Sequence, residues 1–226
     1  MEQSPINIVC ATNDENAVAK AVFEYSLDIE SKDVDVLTKT FINSDSHKAM
    51  LSTFSPKTRC SIQDLLIFSI PSGFSGRVIF NKCHQLYLSS PSELIDLPMN
   101  GAAMLKPKAS LDCVLIDCDK FKEISWWGGW SDMVRQYGVV GILHRLKSAG
   151  LLGRLPEQWC APDNKNYNGY PVKLYNFANP ITQPWSPVNH IGNQKDRESE
   201  RLWFEYYLDA IDYGYVTDDI GFIPDV

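Results

Sequence analysis

Several features are missing from this sequence, and each absence removes a class of protein. No apolar stretch reaches 18 residues, short of the roughly 20 that a bilayer-spanning helix needs. Basic residues are outnumbered, 21 Lys and Arg against 28 Asp and Glu, for a net charge of -7. A protein that tracks a phosphate backbone carries a basic face, so no nucleic-acid partner is expected. The six cysteines, at 10, 60, 83, 113, 118 and 160, form no Cys-x-x-Cys pair, which argues against a zinc knuckle. Most of them read instead as small buried hydrophobes in a reducing compartment. Thr12–Val18 (TNDENAV) holds no glycine, so the glycine-rich phosphate loop that would mark a nucleotidyltransferase is lacking. Met1–Pro5 has no signal-peptide pattern. The expected setting is therefore cytoplasmic, with no membrane partner. Neither an internal repeat nor a domain boundary is evident. The chain reads as one domain over 1–226, with a loop-rich C-terminal lobe from about residue 160.

What is present is an α/β pattern. Ile6–Thr12 (INIVCAT) is an apolar run suited to a buried parallel strand. Val18, Val22, Phe23 and Leu27 follow at helical spacing, and Val34–Thr40 reads as a second strand. That is a βαβ start, which implies a sheet covered by helices. Cys60–Ile70 predicts a helix ending before Pro71, and Arg77–Phe80 a strand. Ser90-Pro91-Ser92-Glu93 has the form of a capping box and predicts a short helix over Pro91–Ile95. Val114–Ile116 and Val172–Phe177 read as strands, and Gly138–Ala149 as a helix closed by Gly150. Asp196–Tyr213 is the clearest helix, with Leu202, Trp203, Tyr206, Tyr207, Ala210 and Ile211 on one face.

Four segments in order carry a resemblance: Ile6–Thr12 with Asn13, Gly76–Leu97, Leu111–Asp117 (LDCVLID), and Thr182-Gln183-Pro184-Trp185. Together they resemble the nucleotide-sugar glycosyltransferases of GT-A fold, those like family 8 above all. The likeness spans most of residues 6–214, and no single piece of it is specific. It implies a Rossmann-like mixed sheet flanked by helices, a UDP-sugar donor, and hexosyl transfer to a saccharide or protein acceptor. Members of that group offset the charge of the departing diphosphate with a divalent metal. Hard oxygen ligands hold it, an Asp-x-Asp motif at a strand end and a later His.

This chain departs from the pattern at the decisive places. Lys82-Cys83-His84 stands at the Asp-x-Asp positions and Asn176 at the His position. A protonated lysine ligates no metal and repels one, so no metal site is expected. Asp117-Cys118-Asp119 does spell Asp-x-Asp, but it belongs to the later strand and reads as a strand end or helix cap. The catalytic candidates implied by the resemblance are Lys82 and His84, as charges near the diphosphate, and Asp112, facing the acceptor. The donor-binding candidates are Thr12, Asn13, Asn176, Gln183 and Trp185. Each has a structural alternative: a solvated loop charge for Lys82, a helix cap for Thr12 and Asn13, a strand-end polar residue for Asp112, and a packed Pro-Trp turn for Gln183 and Trp185. A sugar-nucleotide or glycan-binding protein that has lost transfer is the competing function.

Overall fold

The computed structural model describes residues 5–12, 16–42, 61–163, 171–181, 183–186 and 197–217. Its centre is β1 (Ile6–Thr12), which pairs in parallel with β2 (Val36–Ile42) on one side and β3 (Arg77–Lys82) on the other. Helix α1 (Ala17–Glu30) makes the crossover from β1 to β2. Beyond β3 the sheet turns antiparallel at β6 (Cys113–Asp117), then continues through β5 (Met104–Lys106) to β7 (Leu152–Arg154). The order is β2-β1-β3-β6-β5-β7, a six-stranded mixed sheet. A smaller sheet is formed by β4 (Gln85–Tyr87), β9 (Leu174–Asn176) and β8 (Ala161–Pro162), in the order β4-β9-β8. The expected α/β mixed sheet flanked by helices is thus observed.

The two-residue period of the strands explains why both faces are covered. Val9 and Ala11 of β1, Val78 and Phe80 of β3, and Val114 and Ile116 of β6 share one apolar cluster with Leu65, Ile67 and Phe68. Ile8, Cys10, Ile79, Cys113 and Leu115 lie on the other face, with Phe23 and Leu27 of α1. Strands apolar on both faces cannot sit on a surface, so helices close each side. Cys10, Cys83, Cys113, Cys118 and Cys160 are all buried free thiols, as expected of small core residues. Cys60 lies outside the described residues.

Several boundaries differ from the sequence reading. The helix expected to stop before Pro71 is broken earlier: α2 (Ile62–Leu66), a 3₁₀ turn (Ile67–Ser69), then α3 (Ile70–Gly73). Pro71 falls in the first turn of α3, where its missing N–H costs nothing. Helix α4 (Pro91–Ile95) forms as expected, with Ser90 Oγ accepting from Ser92 N. Its Glu93 leaves the capping role and pairs with Lys173. A short helix, α5 (Cys118–Lys122), follows β6 directly. Helix α6 (Trp130–Ser148) is broken at Gly138, which has φ 62 and ψ 173, so the expected start there marks a real interruption. Helix α7 (Glu198–Asp212) packs Trp203, Tyr207 and Ala210 inward, with Trp203 and Tyr207 stacked at 5.4 Å. Ile211, assigned to that face from its spacing, is 39% exposed, one residue before the end of α7.

Candidate functional site

The register of the sheets brings distant residues to one point. Lys82 ends β3, and its N–H donates to the Asp112 carbonyl at 2.9 Å. Cys83 N–H donates to Ala11 O at 3.1 Å, tying the same corner to the end of β1. In the small sheet Gln85 lies opposite Asn176, and Phe177 N–H donates to His84 O at 2.9 Å. Lys82, His84, Asp112 and Asn176, separated by as much as 94 positions in the sequence, therefore converge at the carboxyl ends of β1 and β3. In open α/β sheets this end is where ligands bind.

The polar contacts are close. Lys82 Nζ lies 2.8 Å from Asp112 Oδ1 and 3.1 Å from Asp64 Oδ1. Asp64 is the N3 residue of the α2 capping box, so its second oxygen accepts from Ser61 N–H at 3.2 Å. Asn176 Nδ2 donates to Asp112 Oδ2 at 3.0 Å. His84 Nε2 stands 4.0 Å from Asp112 Oδ1. Burial alone would lower the Lys82 pKa, but the carboxylates of Asp112 and Asp64 outweigh it and raise it. Burial would raise Asp112, yet the Lys82 and His84 charges and the bonds from Lys82 and Asn176 bring it below the usual carboxylate value. His84 goes the other way. Burial, with Lys82 nearby, pushes it down to about 4 against the pull of Asp112, so it is neutral at pH 7. One ammonium and two carboxylates leave the group at net -1.

Below this corner lies a buried polar chain. Tyr87 OH donates to Asn81 Oδ1 at 2.8 Å, and Asn81 Nδ2 donates to Gln85 Oε1 at 2.6 Å. His84 Nε2, Gln85 Nε2 and Asn176 Oδ1 are buried without a hydrogen-bond partner among the described residues. Each such atom costs about 1–3 kcal/mol, and all three flank the same corner.

A cleft of about 330 Å³ opens beside it, a size suited to a monosaccharide-scale group. Ser110, Asp112, Cys160, Asp163 and Asn176 are part of its polar lining, with Lys108, Glu157 and Asn179, and Pro107, Leu155 and Pro162 are part of its apolar walls. Asp163 is buried and paired with Arg197 at 2.8 Å, which anchors the start of α7 to the cleft wall.

Of the residues singled out from sequence, Asp112 and Asn176 line the cleft, and Lys82 and His84 contact Asp112. Thr12 is buried at the end of β1, and its side chain bonds Cys83. Gln183 Nε2 donates to Phe177 O at 2.9 Å, and Trp185 packs between Phe177 and Trp203. Neither Gln183 nor Trp185 borders the cleft. Asn13 and Thr182 lie outside the described residues. Asp64 was missed, because a carboxylate at the third position of a helix is explained locally by capping. Ser110, Cys160 and Asp163 carried no signal in the sequence.

The residues do not fit a divalent metal. The oxygens that could ligate one, on Asp64 and Asp112, already hold an ammonium, and no group of three or more His, Cys, Asp or Glu suited to a metal occurs among the described residues. Asp117 and Asp119 sit at the far end of the sheet, since Arg77 pairs with Asp117 in the antiparallel ladder. Asp117 Oδ1 caps α5 by accepting from Lys120 N–H at 3.0 Å, and Asp119 Oδ2 accepts from Gly76 N–H at 2.8 Å. Both are structural. No helix among the described residues is long and apolar enough to cross a membrane.

Solved structures share this architecture. The galactosyltransferase LgtC, in complex with donor and acceptor sugar analogs, superposes with a TM-score of 0.65 at 12% identity, over 97% of this chain and 98% of its own. The bifunctional glycosyltransferase WbbM gives 0.64 at 13% identity, over 93% of this chain and 52% of its own. The glycosyltransferase GlyE of Streptococcus pneumoniae TIGR4 gives 0.61 at 10% identity, over 99% and 66%. No protein-family profile and no curated protein sequence matches the chain. The fold is that of the GT-A glycosyltransferases.

Proposed function

We propose that this chain is a glycosyltransferase-like protein that takes a nucleotide sugar, a UDP-sugar by resemblance, into the cleft beside Asp112 without a divalent metal. The observation that carries this reading is the Lys82 ammonium held between Asp64 and Asp112 at the carboxyl end of β3. A cation at that position supports the reading, because the resemblance calls for a metal there. The cleft lining agrees with a sugar, since carboxylate, amide and hydroxyl groups match sugar hydroxyls in both donor and acceptor roles.

Two versions follow. In hexosyl transfer, Lys82 leaves Asp64 and turns toward the departing diphosphate, where a preorganised charge stabilises the developing oxyanion. Asp112 then orients the ammonium and faces the acceptor. The other version is a protein that binds a sugar nucleotide or glycan and no longer transfers it. One observation favours this second version: the ammonium is already matched by two carboxylates, so the corner is net negative and opposes a diphosphate unless Lys82 moves. Function here rests on the site, because the fold alone hosts many activities.

The test is thermal stabilisation and donor hydrolysis with UDP-sugars in EDTA. Turnover that falls by about 10²–10³ in Lys82→Ala supports transfer. Stabilisation without turnover supports binding alone. Neither response, with or without Mn²⁺, defeats both.

A further inference from the structure

The charges around the cleft are unevenly matched. Each acid on its wall already has a base. Asp112 holds Lys82 at 2.8 Å, Asp163 holds Arg197 at 2.8 Å, and Glu157 holds Arg154 at 2.5 Å. The loop from β5 to β6 carries the opposite case. Lys108 lines the cleft and is exposed, and its ammonium has no carboxylate partner among the described residues. Lys106, the last residue of β5, is half-buried behind it. Its Nζ donates to Pro107 O at 2.5 Å and to Lys108 O at 3.4 Å, two carbonyls of cleft-lining residues. An ammonium has three donors, so one N–H of Lys106 is left over. Burial lowers the Lys106 pKa, opposed only by the nearby Cys160 thiol of the cleft wall. Lys82, gripped by two carboxylates, is raised instead. A partly buried cation without a counter-ion is costly, and this one stands beside a cavity.

The sheet fixes where the two loop cations lie. Lys82 ends β3, Asp112 immediately precedes β6, and Lys106 ends β5, and these strands are neighbours in that order. Lys106 is therefore two strand spacings from Lys82, about 10 Å across the sheet, with Asp112 between them. The resemblance sets the donor diphosphate at Lys82 and the acceptor at Asp112, so the loop lies on the acceptor side.

We propose that the cleft takes an acidic saccharide as acceptor, its carboxylate bound by Lys108 at the rim and by the remaining N–H of Lys106. Bonds between an ammonium and a carboxylate are charge-assisted and stronger than neutral ones, and a partly buried pair is screened less than an exposed one. The proposal rests on the glycosyltransferase-like reading of the cleft, but its main test contains no nucleotide, so the two can fail separately.

The experiment titrates methyl glucuronide and methyl galacturonide, each against its neutral glycoside, into the full chain by ligand-observed NMR. The expected result is that at least one acidic glycoside binds about tenfold or more tightly than its neutral counterpart, one decade in Kd. Lys108→Ala and Lys106→Gln should each remove that preference and leave the neutral glycoside unmoved. Should Lys106→Gln fail to fold, Lys108→Glu at the exposed position decides, and it should turn the preference against the acid. Equal binding of acidic and neutral glycosides, a preference that survives the substitutions, or no glycoside binding overturns the proposal. UDP-glucuronate and UDP-glucose, titrated calorimetrically in EDTA, locate the anion. A preference seen only between these two would put the carboxylate on the donor and overturn the acceptor assignment. Lysine-dependent binding of an acidic glycoside by a chain that binds neither UDP-sugar would uphold the acidic-saccharide site and defeat the sugar-nucleotide reading.

Discussion

Two tripeptides on adjacent strands teach opposite lessons. Asp117-Cys118-Asp119 spells a metal-binding motif, and Lys82-Cys83-His84 spells none. Yet Asp117 and Asp119 serve a helix cap and a turn at one end of the sheet. Lys82 and His84 stand at the other end, beside the cleft, in contact with Asp112. The strands are antiparallel, so their carboxyl ends point in opposite directions, and position in the sheet outranks the letters. Exposure follows the same division. The Lys82 and Asp112 side chains are 13% and 8% exposed, while Asp119 is 59% exposed. A charge is buried in a protein only when a partner or a task holds it there.

Substitutions sharpen that contrast, and the largest effect is expected at Lys82. Lys82→Met removes the cation between two carboxylates and should destabilise by about 3–5 kcal/mol, the cost of orphaning a buried ion pair. Urea denaturation at neutral pH measures it. A loss under about 1 kcal/mol would place the pair in the class of weak surface bridges and erase the difference between the two tripeptides.

The next effect is in pH. His84 has its folded pKa lowered to about 4 from 6.5, so the unfolded chain binds its proton first on acidification. Its contribution is complete above pH 6.5 and is lost as pH falls toward 4, on the order of 3 kcal/mol over the window. His84→Gln should flatten the stability profile between pH 6.5 and 4. An unchanged profile would mean that His84 is not buried neutral. The Asp112 pKa is also lowered, so its stabilisation persists below the range where His84 is spent and disappears only as Asp112 itself is protonated.

The smaller effect belongs to the other tripeptide. Asp117→Ala removes an N-cap and should cost about 1 kcal/mol. Neither Asp117→Ala nor Asp119→Ala should alter ligand binding at the cleft. A large loss of sugar binding in either would return the Asp-x-Asp reading to contention.

Much of the central sheet was legible because its signal is local. The apolar runs at Ile6–Thr12 and Leu111–Asp117 are buried on both faces, and such strands announce themselves by composition. Ser90 and Pro91 marked α4 by capping chemistry alone. The small sheet was less legible, as β4, β8 and β9 hold three, two and three residues, too few for a period to register. The site divided the same way. Lys82, His84 and Asn176 were singled out by the resemblance and gather around Asp112, whereas Asp64 reaches Lys82 only through tertiary packing of α2. Gln183 and Trp185 carried two readings, a donor clamp and a packed Pro-Trp turn. A polar and an aromatic side chain beside a proline suggested a ligand clamp, and the structure sets them in the Phe177 and Trp203 packing.

The central claim is that Lys82 stands where a metal would and that the cleft takes a nucleotide sugar without one. Calorimetric titration of wild type with UDP-galactose and UDP-glucose, in EDTA and again in Mn²⁺, tests it most directly. The account predicts binding of at least one donor with the same Kd in both buffers. Binding that appears only with Mn²⁺ would contradict it.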